Sequence, residues 1–346
     1  MATLVAAYFD DKATVDTVAA APSGQQCTSY VLTAVGFPPH TTKSFPPSTD
    51  RVFLGASCRL ALLLDEGKVR FEPKLDTTTR IDALAGGAIA DDTLTPVEAG
   101  KLRGLHTWAD THTAGRVGRI ATYHLKARQY EDTSVMTEPL KAGLRLMQRL
   151  SKLRLSWDVP VLIAPRMPLI VYSDASYEPD SGKLPRLGWI IFDPEAGTDA
   201  IVAKTLDVPM DIYDSWKPRS QQIYPAEAIA PLVATANDQE VFRGRDVIWF
   251  IDNEAAAATL IRGASREEDV TDIAELTQLL WAALGTRVWI EWIDSDSNPS
   301  DGLSRDGLDD PWCVSHGLTP LMAVPPRWQS AASLLDELME KFQWRH

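Results

Sequence analysis

Four carboxylates, Asp174, Glu227, Asp252 and Asp301, stand where an apolar strand runs out or a helix turns inward, in the order strand, helix, strand, helix. Converging acids repel one another unless a cation lies between them. Hard oxygen ligands with no His or Cys interleaved suit Mg²⁺ or Mn²⁺, and two such ions about 3.5–4 Å apart are the device for in-line phosphodiester displacement. Each acid alone also has a plainer reading. Asp174 could begin a turn, Asp252 with Asn253 could cap the helix that follows, Asp301 could serve a helix dipole, and Glu227 could be an exposed helix residue.

The elements that must position these acids are legible around them. Asp174 follows the apolar run Pro168-Leu-Ile-Val-Tyr172, and Asp252 follows Val247-Ile-Trp-Phe-Ile251. Both therefore project from the carboxyl ends of buried strands, where open α/β sheets place their ligands. Glu227 lies in Pro225-Ala-Glu-Ala-Ile-Ala-Pro231, a helix-period stretch whose apolar face carries the carboxylate toward the sheet. Asp301 lies in Asn298-Pro-Ser-Asp301, an Asn N-cap with Pro at the first helical position and an acid in the first turn. From 166 to 310 the pattern is three strands, a helix, a strand, two helices, a strand and a helix. The expected helices fall near 225–237, 254–263 and 268–284, and Arg287-Val-Trp-Ile-Glu-Trp292 is in the last strand.

Together, Tyr172-Ser-Asp-Ala-Ser176, the helical Glu227, Phe250-Ile-Asp-Asn-Glu-Ala-Ala256 and Asn298-Pro-Ser-Asp-Gly-Leu-Ser-Arg305 resemble the ribonuclease H domain of retroelement polyproteins. The resemblance implies a five-stranded mixed sheet with flanking helices. It also implies a two-metal site in which Asp174 and Asp252 bind Mg²⁺ or Mn²⁺ directly, Glu227 and Asp301 complete the pair of ions, and the RNA strand of an RNA–DNA hybrid is the substrate. Two departures stand out. The loop Asp294-Ser-Asp-Ser-Asn298 lacks the His that many members keep for product release, which implies slow turnover. Between Ala264 and Leu284, where some members have a basic protrusion, Glu267, Glu268, Asp269, Asp272 and Glu275 dominate.

The amino-terminal half carries a second resemblance. Tyr8-Phe-Asp10-Asp11 looks like the Tyr-x-Asp-Asp hairpin of a reverse transcriptase palm, Lys43 falls where the next palm motif keeps a Lys, and Val52-Phe-Leu-Gly55 looks like the hairpin before the thumb. The chain thus resembles the rear half of a retroelement reverse transcriptase of the DIRS-like group. Residues 1–75 read as a partial palm, 76–160 as a helical thumb and connection, 166–310 as the ribonuclease H-like domain and 311–346 as an extension ending in an amphipathic helix. With Met1 nine residues before Asp10, the palm strand that supplies the other metal-binding Asp has no place, so independent DNA synthesis is not expected. A sheet cut there exposes an edge that a protein partner could cover. The alternative to an enzyme is accordingly a domesticated, non-catalytic subunit of a larger assembly.

Composition bounds the rest. The 346 residues are 45% hydrophobic and 23% charged, as in globular proteins, and no apolar run approaches 18 residues. Cys27, Cys58 and Cys313 are scattered and odd in number, which suggests neither a disulfide framework nor a zinc site. No signal or transit peptide is evident, which leaves nucleus, cytosol and organelle open. The net charge of −13 is unfavourable for a nucleic-acid partner, yet residues 101–154 hold 11 Lys or Arg against 4 Asp or Glu. Arg103, Arg116, Arg119, Lys126 and Arg128 there form a candidate basic track; a solvated helical face is the equal alternative. Thr95-Pro-Val-Glu98 is a capping box opening one helix, with others near 115–130 and 136–153. Asp65-Glu-Gly-Lys68 reads as a hairpin turn, and 158–168 as a Pro-punctuated boundary. Trp189, Trp249, Trp289 and Trp292 read as core residues, and Leu334, Leu335, Leu338 and Phe342 as a stripe that packs on its own chain.

Overall fold

The computed structural model describes residues 4–8, 11–40, 42, 44–111, 116–161, 166–197 and 200–343, with the backbone alone for 4–8, 11–15, 111 and 341–343. At the amino terminus β1 (Leu4–Tyr8) and β2 (Asp11–Val15) form a two-stranded antiparallel ribbon with Tyr8 opposite Asp11, followed by α1 (Ala21–Ala34). Next come β3 (Asp50–Phe53), β4 (Ala56–Arg59), α2 (Leu62–Glu66) and β5 (Lys68–Pro73). The turn expected at 65–68 is instead the end of α2. Leu62-Leu-Leu-Asp-Glu66 lacks β-branched residues, and Gly67 takes the left-handed φ of 66° that closes a helix.

Four helices follow: α3 (Leu75–Asp91), α4 (Pro96–Thr111), α5 (Arg119–Gln129) and α6 (Glu138–Leu153). The capping box is reciprocal, with the Thr95 amide donating to Glu98 at 2.9 Å and the Glu98 amide to Thr95 Oγ1 at 3.3 Å. The chain then returns as β6 (Trp157–Pro160), which pairs with β5 and completes a four-stranded antiparallel sheet, β3-β4-β5-β6. This strand covers the start of the boundary stretch expected at 158–168. Arg70 grips Asp158 through two parallel hydrogen bonds of 2.7 and 2.8 Å, so the first of those residues belong to the amino-terminal sheet.

The main sheet contains β7 (Leu169–Ser176), β8 (Arg186–Phe192), β9 (Val202–Asp207), β10 (Asp246–Ile251), β11 (Arg287–Trp292) and β12 (Leu321–Met322). Its order is β11-β10-β7-β8-β9-β12. The β7-β8-β9 meander is antiparallel, while β10, β11 and β12 join in parallel. The helices of this part are α7 (Met210–Asp214), α8 (Ile223–Asn237), α9 (Gln239–Phe242), α10 (Glu254–Arg262), α11 (Glu268–Leu284), α12 (Asp301–Arg305), α13 (Pro311–Ser315) and α14 (Ala331–Gln343). The sheet and helices expected from 166 to 310 are present. The tail adds a sixth strand, β12, where five were expected.

One apolar core unites Val171, Trp189 and Trp249 of the sheet with α8, α11, Leu150 of α6 and Leu334 and Leu335 of α14. Leu334, Leu335 and Leu338 of the carboxyl-terminal stripe thus pack on their own chain, while the Phe342 side chain lies outside the described residues. Trp289 and Trp292 are corrections: they are 69% and 51% exposed on β11, the edge strand of the sheet among the described residues. Among the described residues no helix is long and apolar enough to cross a membrane.

Candidate active site

The parallel register of β7 and β10 sets Ser173 beside Ile251, which brings Asp174 and Asp252, the next residues along, to the same level. Helix α8 lies across β7 and is buried from Pro225 to Thr235. Its alanines at 226, 228, 230 and 234 are small enough to let the helix approach the sheet, and this approach delivers Glu227. Oxygens of Asp174, Glu227 and Asp252 lie within 4.8 Å of one another, with the first two buried and the third half-buried.

Neighbouring hydroxyl groups orient the acids. Ser304 Oγ donates to Asp174 Oδ2, and Ser295 Oγ donates to Asp252 Oδ2 at 2.7 Å. Trp292 donates its indole N–H to the Asp252 carbonyl at 2.9 Å. The Ala175 amide bonds Glu227, whose Oε2 is buried without a partner. Burial pushes Asp174 up to about 7 against the Ser304 hydrogen bond, and the charges of Asp252 and Asp301 push the same way. Glu227 is driven well above the usual carboxylate range, first by burial and then by Asp174 and Asp252. Burial and mutual repulsion thus disfavour ionising all three acids together unless a cation joins them, which fits a hard cation among carboxylate oxygens.

Asp301 opens α12 and stands outside the group of three. Its Oδ1 accepts from Arg305 Nε at 2.9 Å, while its charge still reaches Asp174. Two residues seat α12 against the sheet. Asn298 donates to the Ser173 carbonyl at 3.2 Å and accepts from the Ser300 amide at 3.2 Å, so its side chain both ties to β7 and holds the turn into the helix. Gly188 pairs with Asp174 across β7 and β8, and a Cβ there would lie 2.6 Å from both Leu303 Cβ and the Ser304 nitrogen. Sequence reasoning missed Ser304, Ser295 and Gly188. Ser304 had a faint signal, three residues after Asp301 and on the same helix face.

The remaining candidates are dispersed. Asp10 and Lys43 lie outside the described residues, and Asp11 begins β2. Arg103 and Arg116 are half-buried and Lys126 is exposed. Arg119 approaches Asp110 at 3.6 Å. Arg128 is withdrawn from the basic track: it is 2% exposed and donates to the Thr133 carbonyl at 2.7 Å and to that of Val135. The loop before α12 is a 3₁₀ turn, Ser295–Ser297, without a His.

A three-strand antiparallel meander extended by two parallel strands, with the acids at the centre, matches the fold implied by the motifs. The fold is mixed α/β and ribonuclease H-like. Among solved structures, ribonuclease H1 from Halobacterium salinarum is 18% identical, with a TM-score of 0.30, and the match covers 41% of this chain and 98% of that one. The amino-terminal RNase H domain of a Mycobacterium tuberculosis protein, solved as a fusion with maltose-binding protein, is 16% identical with a TM-score of 0.31 over 42% of this chain and 96% of that one. A foamy viral protease–reverse transcriptase in complex with RNA/DNA hybrid is 14% identical with a TM-score of 0.36, over 84% of this chain and 36% of that one. No protein-family model matches the sequence, and no curated protein matches it.

Proposed function

We propose that this chain is a divalent-cation-dependent endonuclease of the ribonuclease H type, acting on the RNA strand of RNA–DNA hybrids. The observation that carries the reading is the group Asp174, Glu227 and Asp252, with its oxygens within 4.8 Å and Glu227 Oε2 left without a partner. An unsatisfied buried polar atom costs about 1–3 kcal/mol, which a cation would offset. Asp174 and Asp252 would hold Mg²⁺ or Mn²⁺ directly, and Glu227 and Asp301 would complete the set. The ions, when bound, would generate hydroxide from water and stabilise the departing 3′-oxygen. Ser304 and Ser295 each donate to the Oδ2 of one aspartate and so restrain the two carboxylates that would hold the cation. Preference for RNA would come from contacts to 2′-hydroxyl groups across the minor groove.

The motifs further support a DIRS-like retroelement origin, with 1–75 as palm remnant, 76–160 as thumb and connection, 166–310 as the hydrolase and 311–346 as an extension. The second reading, a non-catalytic assembly subunit, is favoured by one observation. Helix α1 buries none of its side chains, and Tyr30, Phe37 and Phe45 are 77%, 69% and 63% exposed beside a two-stranded ribbon. Ribbons of two strands are marginal alone, and uncovered aromatic groups mark a surface for a partner.

The deciding experiment is Mg²⁺- and Mn²⁺-dependent cleavage of a labelled RNA–DNA hybrid at low salt, with Asp252→Asn as control. Cleavage lost in the control establishes the hydrolase. A folded chain that binds no Mn²⁺ and leaves the hybrid intact refutes it in favour of the subunit.

A further inference from the structure

The two faces of the main sheet are covered unequally. On the face toward α8, α10 and α11, Leu169, Val171, Val247, Trp249 and Ile251 are at most 1% exposed. On the opposite face α12 and α13 cover β8 and β9, where Ile190 and Ala203 pack with Leu303 and Cys313 and are 0% and 4% exposed. Toward β11 this cover ends. Ile170 and Tyr172 of β7 and Ile248 and Phe250 of β10, which alternate with the buried set, are half-buried, and Trp289 of β11 is 69% exposed. The strand register joins them into one surface. Tyr172 pairs with Phe250 and stacks on it with ring centroids 4.9 Å apart, and Trp289 stands beside Ile248. Among the described residues none of these five belongs to a buried apolar cluster.

The surface has the dimensions of one short helix. From β7 to β11 is two strand spacings of ~4.8 Å, about the ~10 Å width of a helix with its side chains, and two helical turns, ~11 Å, span the Ile248–Phe250 stretch of ~7 Å and the side chains around it. A helix there would continue the layer that α12 and α13 begin, as layered sheets bury their second face. The rim sets its charge. Glu291 shares this face with Trp289, whose indole N–H it accepts at 2.8 Å, and Asp294 and Asp296 follow beyond the end of β11. All three acids are exposed and, among the described residues, enter no ion pair, whereas Arg287 on the same face is paired with Asp246 at 2.6 Å. The net charge of −13 adds its field in the same direction.

We propose that the face formed by Tyr172, Ile248, Phe250 and Trp289 docks a partner protein through a basic amphipathic helix, its apolar stripe on the aromatic groups and its Lys or Arg flank toward Glu291, Asp294 and Asp296. Trp289 supplies the aromatic anchor on which such interfaces centre, and apolar residues at i, i+3 or i+4, and i+7 of the partner match the two-turn span. The same acids repel a polyanion, which separates this face from a nucleic-acid surface. The proposal stands whether or not the chain hydrolyses hybrid.

The test uses the full-length chain and a fluorescein-labelled peptide of about 14 residues, the length at which isolated helices begin to hold, with a Leu stripe at helical spacing and Lys elsewhere, read by anisotropy. One control peptide keeps the composition but scrambles the stripe, and another replaces Lys with Glu. The parent should bind the first peptide and neither control. Trp289→Glu, at an exposed position, should weaken that binding about tenfold, and Glu291→Lys should weaken it in the same direction. Tyr30→Glu on the exposed side of α1 should change nothing, and Trp289→Glu should leave Mn²⁺ binding unaltered. Equal binding of the scrambled peptide, unaltered binding in both variants of the face, or an equal loss in Tyr30→Glu overturns the proposal. Sedimentation tests the rival occupant: a dimer of the parent that Trp289→Glu dissolves assigns the face to a second copy and rejects the helix. Peptide-dependent protection of the outward amides of β11 from hydrogen exchange would show a strand added to the sheet edge, and rejects it too.

Discussion

A buried acid joins the helical region to the sheet domain, and its proton should govern stability. Glu275 on α11 is 1% exposed, accepts the Gly118 amide and receives the Arg119 and Ile120 amides at the start of α5. Burial pushes it from 4.5 up to about 7, against those amides. The folded chain therefore keeps this proton to higher pH than the unfolded chain does, so stability falls as pH rises from about 4.5 through 7. Neighbouring groups add their own slopes. Asp110, raised by burial to about 8 despite Arg119, acts in the same direction. His106, lowered by burial to about 4, acts oppositely between pH 4 and 6.5. Comparing Glu275→Gln with the parent chain at each pH largely cancels both, since Gln keeps the carbonyl acceptor and removes the ionisation. From the linkage relation, the variant should gain about 2 kcal/mol relative to the parent between pH 5.5 and 8. Urea denaturation followed by tryptophan fluorescence measures this, in a range above the isoelectric point of about 4.9. If the two proteins keep parallel pH profiles, the folded chain does not hold a proton on Glu275 and the reasoning fails.

Three further outcomes follow from the site. Ser304→Ala removes the hydroxyl that orients Asp174, and loss of such supporting partners costs about 10–100-fold in metal affinity or activity, to be read by Mn²⁺ titration and by hybrid cleavage. Gly188→Ala sets a methyl group 2.6 Å from Leu303 Cβ and the Ser304 nitrogen, so it should cost about 1–3 kcal/mol in urea denaturation and shift α12 enough to reduce cleavage. Mg²⁺ at a hundred times its Kd should stabilise the chain by about 2.7 kcal/mol, seen as a rise in Tm that chelation reverses and that Glu227→Gln diminishes, because that variant loses one of the three clustered acids.

How far the site was legible depends on the range of the interactions that build it. Asp174 and Asp252 end runs such as Leu169-Ile-Val and Val247-Ile-Trp, and burial of such runs is a local property of sequence, so their strands and their adjacency were readable. Glu227 was readable because it lies in an apolar, alanine-rich helical stretch, which the fold buries from Pro225 to Thr235. What escaped was set by partners distant in sequence. Ser304 lies 130 residues from the carboxylate it orients, and Gly188 has meaning only once α12 is known to press on β8. The same holds for β6, which pairs with a strand on the far side of four helices. Alternation predicted β11 as a strand but not as an edge, so Trp289 and Trp292 looked buried. Charge was the least legible property, because counting cannot distinguish an arginine that caps carbonyls from one left free. Arg128 and Arg119 sit in one basic run, yet the first donates to the Thr133 and Val135 carbonyls and the second turns to Asp110.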